Sequence, residues 1–354
     1  MTTNRKLYSN LAFNLAENHL GRTGVNPSVG CVVVKNNSVI SSGVTDINGR
    51  PHAEYIALNK NLNFKDSDMY VTLEPCAHHG LTPPCTDIIK NKKIKNVFYN
   101  NKDPDLITRG KAKKIFKTKK INFRLIKGVR DNFYKSYFLN KKKNLPLLDA
   151  KLAISKDYNS INIKSKRITN NRSKIVTFLL RSKYDGIIST AKTINEDNAL
   201  LNCRIKGLNN NKPDLLIIDR NLNLKKNLKF LKIANKRKTY IFTSSKNTKK
   251  ISFFKNKKCK VIHINKLKSK NDFLNLFNII FKLGKRRILV ESGLIFLTQL
   301  FKLKLVNELY LFMSNKKLGN KGLNNIYTNY LRKFQLNNKI RVNLNDDKLY
   351  KIKL

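Results

Sequence analysis

Apolar and polar positions in this chain alternate between two periods. Short β-branched runs, where neighbouring side chains face opposite ways, are separated by segments whose apolar residues recur every three or four positions. Residues 5–20 read as a helix with Leu7, Leu11 and Leu15 in its pattern, and Val29–Lys35 with Ser38–Gly43 as a strand pair. Pro51 opens a helix over His52–Asn59, Asp68–Leu73 is a strand, a second helix follows Pro83-Pro84, and Ile94–Tyr99 is a strand. A basic helical stretch, Asn132–Asn144, stops at Leu145-Pro146, and Leu147–Ala153 then reads as a buried strand that opens a second domain. Beyond it come a helix over 170–183 and strands Asp185–Ser189, Asp214–Asp219, Thr239–Thr243 and Val261–His263. Helix 271–283, strand Arg287–Glu291, helix 293–303 and strand Glu308–Met313 complete the order, which implies a mostly parallel sheet. The expected division is 1–145 and 146–354, both α/β.

A length of 354 residues suits two domains, each able to bury a core. No stretch approaches ~20 uninterrupted apolar residues, so no spanning helix is expected, and the polar start, Met1 to Ser9, has no secretory core. Cys31, Cys76, Cys85, Cys203 and Cys259 are an odd number at irregular spacing, which suits a reducing cytoplasm. The 73 basic and 22 acidic residues leave a net charge of +51. Phosphate binding is the first explanation for such a balance. Here Lys and Asn are scattered through every segment rather than gathered on one face, as codon bias in an AT-rich genome would produce, so specific nucleic-acid recognition is not expected.

The chemistry concentrates in His52-Ala53-Glu54, Glu74-Pro75-Cys76 and Cys85. Core packing explains a lone His or a Cys pair, but not an imidazole, two thiols and a carboxylate in this order. One His and two Cys fill three tetrahedral positions of a zinc ion, the fourth stays open for water, and Glu54 moves protons without touching the metal. Both halves of the set fall at expected helix starts, where the helix dipole favours thiolate. His78 and His79 read as loop residues, since the ligand set is full, and Cys31, Cys203 and Cys259 as small core or loop residues.

Eight residues separate Cys76 from Cys85, where deaminases acting on tRNA or DNA usually carry Cys-x-x-Cys. Together with Asn26-Pro27-Ser28-Val29-Gly30-Cys31 and Tyr70 to Cys76, this resembles the bifunctional deaminase/reductase of riboflavin biosynthesis, from about Leu7 to about Gly322. The resemblance implies a cytidine-deaminase-like zinc domain followed by a dihydrofolate-reductase-like domain. The second half carries it on Lys151 to Asp157, Thr193 to Asn198 and on to Arg204, Val290 to Gly293, and Lys317-Leu318-Gly319; no Gly-x-Gly-x-x-Gly follows a strand. By resemblance, Ala153, Arg167, Thr193, Asp197 and the segment from Gly293 contact NADPH. Ser165, Arg181, Leu201, Arg204 and Glu291 contact the substrate, a pyrimidine ribosyl phosphate, and two guanidinium forks suit its phosphate.

The implied reactions are hydrolytic deamination of 2,5-diamino-6-ribosylaminopyrimidinone 5′-phosphate, then NADPH reduction of the ribosyl group to ribityl. A homo-oligomer is compatible with this reading. The chain departs from the family at Tyr158 (usually Gly), Arg167 (usually Trp), Ala199 (usually Pro), Thr45 (usually His) and Asp103-Pro104-Asp105-Leu106 (usually Asp-Pro-Asn-Pro). Two alternatives therefore stay open: a deaminase with a decayed reductase domain, and an RNA-acting deaminase suggested by the charge.

Overall fold

The computed structural model of the chain describes residues 2–165, 167–208, 213–324 and 329–354. The chain forms two compact units, Met1–Asn144 and Leu145–Leu354. Among the described residues no helix is long and apolar enough to cross a membrane.

The first unit runs α1 (Thr2–Asn18), β1 (Gly30–Lys35), β2 (Ser38–Val44), α2 (Ala53–Leu58), β3 (Asp68–Val71), α3 (Cys85–Asn91), β4 (Asn96–Tyr99), α4 (Lys111–Thr118), β5 (Asn122–Leu125) and α5 (Lys135–Lys143). Its sheet has the order β2-β1-β3-β4-β5. The expected strand pair β1–β2 is antiparallel, β1 also runs antiparallel to β3, and β3, β4 and β5 are parallel. α1 forms where expected but turns another face inward. Tyr8, Ala12, Phe13 and Ala16 are buried, while Leu7 is 55% and Leu11 38% exposed. Close approach decides this: a Cβ on Gly30 of β1 would lie 1.8 Å from the Ala12 carbonyl oxygen, so small residues must line the contact.

A second close approach places the chemistry. α2 lies so near β2 that a Cβ on Gly43 would stand 2.3 Å from the Ala53 carbonyl oxygen and 2.6 Å from the Ala57 nitrogen. Backbone cannot yield as a flexible side chain can, so Gly43 fixes how deep the start of α2 sits. Thr72 and Tyr134 tie α5's entry to the sheet. The Tyr134 hydroxyl donates to the Ser28 carbonyl at 3.0 Å and shares a 2.6 Å bond with Thr72 Oγ1, which accepts from Gly30 N at 3.0 Å.

The second unit runs β6 (Leu147–Ile154), β7 (Ile161–Asn162), α6 (Asn171–Ser182), β8 (Gly186–Thr190), α7 (Ala191–Asp197), β9 (Asp214–Ile218), β10 (Thr239–Thr243), α8 (Thr248–Asn256) and β11 (Lys260–His263). It continues with α9 (Lys270–Lys282), β12 (Arg287–Val290), α10 (Leu294–Lys302), β13 (Glu308–Met313), β14 (Gly322–Leu323), α11 (Asn329–Arg332) and β15 (Lys348–Lys353). The large sheet has the order β11-β10-β9-β8-β12-β6-β13-β15. Every pairing in it is parallel except β13 with β15. The parallel sheet matches the sequence reading; β15, α7, α8 and the α4–β5 unit were not expected from it. β6 shows why its strand reads as buried: Leu148, Ala150, Leu152 and Ile154 enter one core, while Asp149, Lys151 and Ala153 face the other side.

Gly43→Ala is expected to destabilise the first unit by about 1–3 kcal/mol, the usual range for forcing extra volume into a packed contact. Native-state hydrogen exchange resolves this: first-unit amides should lose protection while those of β6, β8 and β12 keep theirs.

Candidate active sites

In the first unit His52 is the residue preceding α2 and Cys85 opens α3, while Cys76 lies in the loop after β3. His52 Nδ1 stands 3.4 Å from Cys85 Sγ and 3.6 Å from Cys76 Sγ. All three candidate ligand atoms lie within 4.8 Å of one another, and no other His, Cys, Asp or Glu joins the group among the described residues. A tetrahedral zinc with its usual N and S bond lengths would space N and S by about 3.6 Å, so the donor set fits that ion.

Local backbone chemistry supports the set. No side-chain oxygen caps α3. Instead the Cys76 sulfur accepts the Cys85 N–H at 3.3 Å, a role that a Ser or Asp oxygen commonly takes. The thiol of Cys85 also donates to it, and this bond is the main reason that Cys76 is shifted toward thiolate. The same bond pushes the Cys85 thiol up. His52 is raised chiefly by its bond to Cys76. Three groups here compete for protons that a divalent cation would displace.

The two glutamates of the motif part company. Glu54 is 4% exposed, and burial pushes its carboxyl up to about 7. Glu74 is a loop anchor: Oε1 accepts from Gly110 N at 2.8 Å and Oε2 from Asp103 N at 3.2 Å. Asp103, held up at about 6 by burial, accepts from Tyr137 OH at 3.1 Å and Asp105 N at 2.9 Å. Asp105 in turn pairs with Lys141. His78 lies on this loop's rim with Nδ1 3.2 Å from Thr108 Oγ1, outside the ligand group. Thr45 is buried, its Oγ1 accepting from Val29 N at 3.0 Å. Cys31, Cys203 and Cys259 are buried free thiols, as read from the sequence.

In the second unit Ala153, Thr193 and Glu291 lie at or just beyond the carboxyl ends of the parallel strands β6, β8 and β12, and the other candidate residues lie on helices and loops. Glu291 follows β12 and Arg181 ends α6; both are 7% exposed. Arg181 grips Glu291 through Nε–Oε1 at 2.6 Å and Nη2–Oε2 at 2.9 Å, and gives Nη1 to the Asn202 carbonyl at 3.1 Å. The buried guanidinium holds Glu291 below the ordinary carboxylate range despite burial. Arg181 is thus committed through three of its five N–H groups. Arg204 is exposed and lies over the Phe178 ring at 4.8 Å, its pKa lowered by burial and then by the charges of Arg181 and Arg167. Arg204 thus lies within electrostatic reach of Arg181 and Arg167, while the charges acting on Glu291 are those of Arg181, Lys151 and Arg237. Arg167 itself is exposed, with Nη1 3.3 Å from Asn171 Oδ1, and its backbone N–H reaches Ser165 Oγ at 3.3 Å.

Thr193 lies inside α7, which Thr190 caps. Its Oγ1 accepts from Gly293 N at 3.2 Å, joining α7 to the start of α10. Asp197 ends α7, and Ala153 sits in β6 packed against the buried cluster of Phe312, Leu344 and Leu349. A cleft of about 630 Å³ opens between the starts of α7 and α10 and the end of β9, bordered by Thr193, Gly293, Lys192, Arg220 and Lys225. The buried Ser292 Oγ beside it has no hydrogen-bond partner among the described residues. Lys151, which sequence reasoning passed over as part of a strand, is lowered chiefly by burial, with Glu291, Arg181 and Asp197 around its ammonium. A lysine at an inward position of a buried strand was the available signal.

Tyr158 takes φ +65°, the left-handed conformation that the family's usual glycine adopts freely, and packs partly buried against the core.

The fold and donor sets define a two-part enzyme, a zinc-type deaminase unit joined to a reductase unit. Residues 2–101 match the cytidine and deoxycytidylate deaminase zinc-binding region, and residues 148–350 match the RibD C-terminal domain. The riboflavin biosynthesis protein RibD of Buchnera aphidicola subsp. Baizongia pistaciae is 30% identical over 326 residues, 88% of this chain and 87% of that one. That of Aquifex aeolicus is 30% identical over 331 residues, 89% and 88% of the two chains. A Thermotoga maritima structure described as a diaminohydroxyphosphoribosylaminopyrimidine deaminase/5-amino-6-(5-phosphoribosylamino)uracil reductase superposes with a TM-score of 0.82 at 27% identity, over 99% of both chains. The chain belongs to the RibD family: it is a bifunctional deaminase and reductase of riboflavin biosynthesis.

The Arg181–Glu291 pair generates a stability expectation. Arg181→Met should destabilise the second unit by about 3–5 kcal/mol, because a buried carboxylate loses its partner. Adding Glu291→Leu should recover at least half of that loss in urea unfolding, since the cost lies in the orphaned charge.

Proposed function

We propose that zinc is held by His52 Nδ1, Cys76 and Cys85 in a deaminase domain spanning 1–145, and that NADPH serves a reductase domain spanning 146–354. The observation that carries the first assignment is the N···S spacing of 3.4 and 3.6 Å around a common centre, with a buried carboxylate beside it. Zinc in such a set supplies Lewis acidity that makes water nucleophilic near neutral pH. The substrate is 2,5-diamino-6-ribosylaminopyrimidinone 5′-phosphate. Water replaces its 2-amino group, and Glu54 takes a proton from the water and delivers it to the leaving ammonia. A carboxyl pushed to about 7 is suited to both transfers. Glu74 keeps the rim loop in place rather than moving protons.

For reduction, a bound nicotinamide would supply the hydride that ribose C1′ needs, and the protein's part is to orient the two. Ala153, Arg167, Thr193, Asp197 and the Gly293 turn receive the cofactor. Lys192, Arg220 and Lys225 at the cleft border favour NADPH over NADH, since an added phosphate dianion meets cations there. Ser165, Arg181, Leu201, Arg204 and Glu291 receive the ribosyl phosphate. Arg204 and the uncommitted N–H groups of Arg181 supply charge for its phosphate, and Lys151 faces the ribose side with Glu291. Five free cysteines fit a cytoplasmic setting.

Cys85→Ser should lose zinc and deamination while NADPH oxidation with the deaminated intermediate persists. In the same series Glu54→Gln should keep stoichiometric zinc and lose turnover by ~10²–10⁴-fold, as expected on removing a general acid–base group. Metal analysis and rate on one sample decide both; full activity in either variant would remove its residue from the mechanism.

For the second half, Arg204→Ala should raise KM for the deaminated substrate about ten- to a hundredfold, the loss expected for one charge-assisted contact. NADPH affinity should stay near wild type. Absorbance of NADPH in the presence of that substrate reads the reaction, and an inert wild-type enzyme that still deaminates would leave the reductase assignment without support.

A further inference from the structure

Arg237 lies just before β10, 5% exposed, in a segment with no assigned role. Its guanidinium donates Nε to the Pro213 carbonyl at 2.6 Å, Nη2 to the Leu201 carbonyl at 2.8 Å and Nη1 to the Leu200 carbonyl. The next carbonyl, that of Asn202, is taken by Arg181 at 3.1 Å. Three successive carbonyls, 200, 201 and 202, are thus each bound by a buried guanidinium, two from Arg237 and one from Arg181. Arg181 is itself fixed by Glu291.

A loop normally spends its carbonyls on water or on its own turn, which leaves it mobile. This one is bonded along its length to charged donors, which make stronger bonds than neutral ones. Leu201 is held at φ +48°, a conformation that a leucine keeps only when its surroundings enforce it. The segment ends at Arg204, whose guanidinium then projects over Phe178. Burial lowers Arg237 to about 9, still above neutrality, so it donates as a cation. Arg237 is not among the residues that border the cleft at Thr193, Gly293 and Arg220.

We propose that Arg237 is a positioning residue of the reductase: it fixes the 200–204 segment so that Leu201 and Arg204 meet the phosphorylated substrate. The proposal rests on the assignment of Leu201 and Arg204 to that substrate. It is selective by construction, because it predicts an effect on substrate and none on NADPH.

The test uses the full chain with Arg237→Met, which removes every donor, and Arg237→Lys, which restores one. With the deaminated intermediate as substrate, KM should rise about 10- to 100-fold in Arg237→Met, the scale on which small misplacements act. Arg237→Lys should recover part of it. KM for NADPH and kcat at saturation should stay within about twofold, and deamination by the same preparations should be unchanged, because a local displacement alters only the contacts it moves. Hydrogen exchange of Arg237→Lys should rise at amides 200–204 and stay at wild-type levels in β8, β9 and β10. An unchanged substrate KM would overturn the proposal. So would a parallel rise of both KM values with loss of kcat, which marks a general structural role. If the wild-type enzyme showed no NADPH oxidation, the reductase assignment would fail on its own. The exchange measurement then still decides the clamp: a rise confined to 200–204 supports it, and no rise removes it.

Discussion

A parallel strand cannot pair with the next one without a crossover, and that requirement shapes both halves of this enzyme. Each crossover returns the chain to the same edge, so loops gather beyond the carboxyl ends of the strands while helices cover the faces. In the second unit the turns after β8, β9 and β12 bring Thr190, Asp219 and Glu291 to one end of the sheet. In the first, β3 and β4 run parallel, and the segments that follow them carry Cys76 and Asp103. Side chains far apart in sequence thus become neighbours because hydrogen-bonded backbone gives them no other place to emerge.

The two sites use buried charge differently. In the deaminase half a carboxyl is enclosed beside the cluster of His52, Cys76 and Cys85, and burial raises it to about 7. In the reductase half a carboxylate is enclosed with a bidentate guanidinium, which keeps it ionised and immobile. One environment prepares a group to change its charge. The other prevents such a change and holds the pair in one geometry.

Much of this was legible in the sequence, and the limits have physical causes. His52, Glu54, Cys76 and Cys85 could be read because each ligand type is chemically distinctive and two stand at helix starts marked by proline. The strands of the second sheet could be read because burial on both faces leaves β-branched runs. The inward face of α1 was not legible: leucines at 7 and 11 suggest a core stripe, but Gly30 admits only Ala12 and Ala16 at the contact. Lys151 and Arg237 were hidden for another reason. Each is one basic residue among 73, and its meaning comes from partners 24 to 140 positions away. Glu74 looked like part of a catalytic signature and is an anchor for backbone N–H groups, which only tertiary geometry reveals.

The placement of charge carries one more consequence. Among the described residues seven acidic side chains are buried, Glu54, Glu74, Asp103, Asp149, Asp219, Glu291 and Asp347, against two basic ones, Arg181 and Arg237. Folding therefore withdraws the scarce anions from the surface and leaves an exterior more cationic than the composition alone. Such a molecule recruits its neutralising partners from solution, as a diffuse cloud of small anions whose density follows the ionic strength. Compaction is then a shared act of polymer and electrolyte: dilute salt leaves the like charges to push outward, and a cell's phosphate-rich metabolite pool quiets them. The same positive field draws any small anion toward the surface, and it does so more weakly as that cloud thickens.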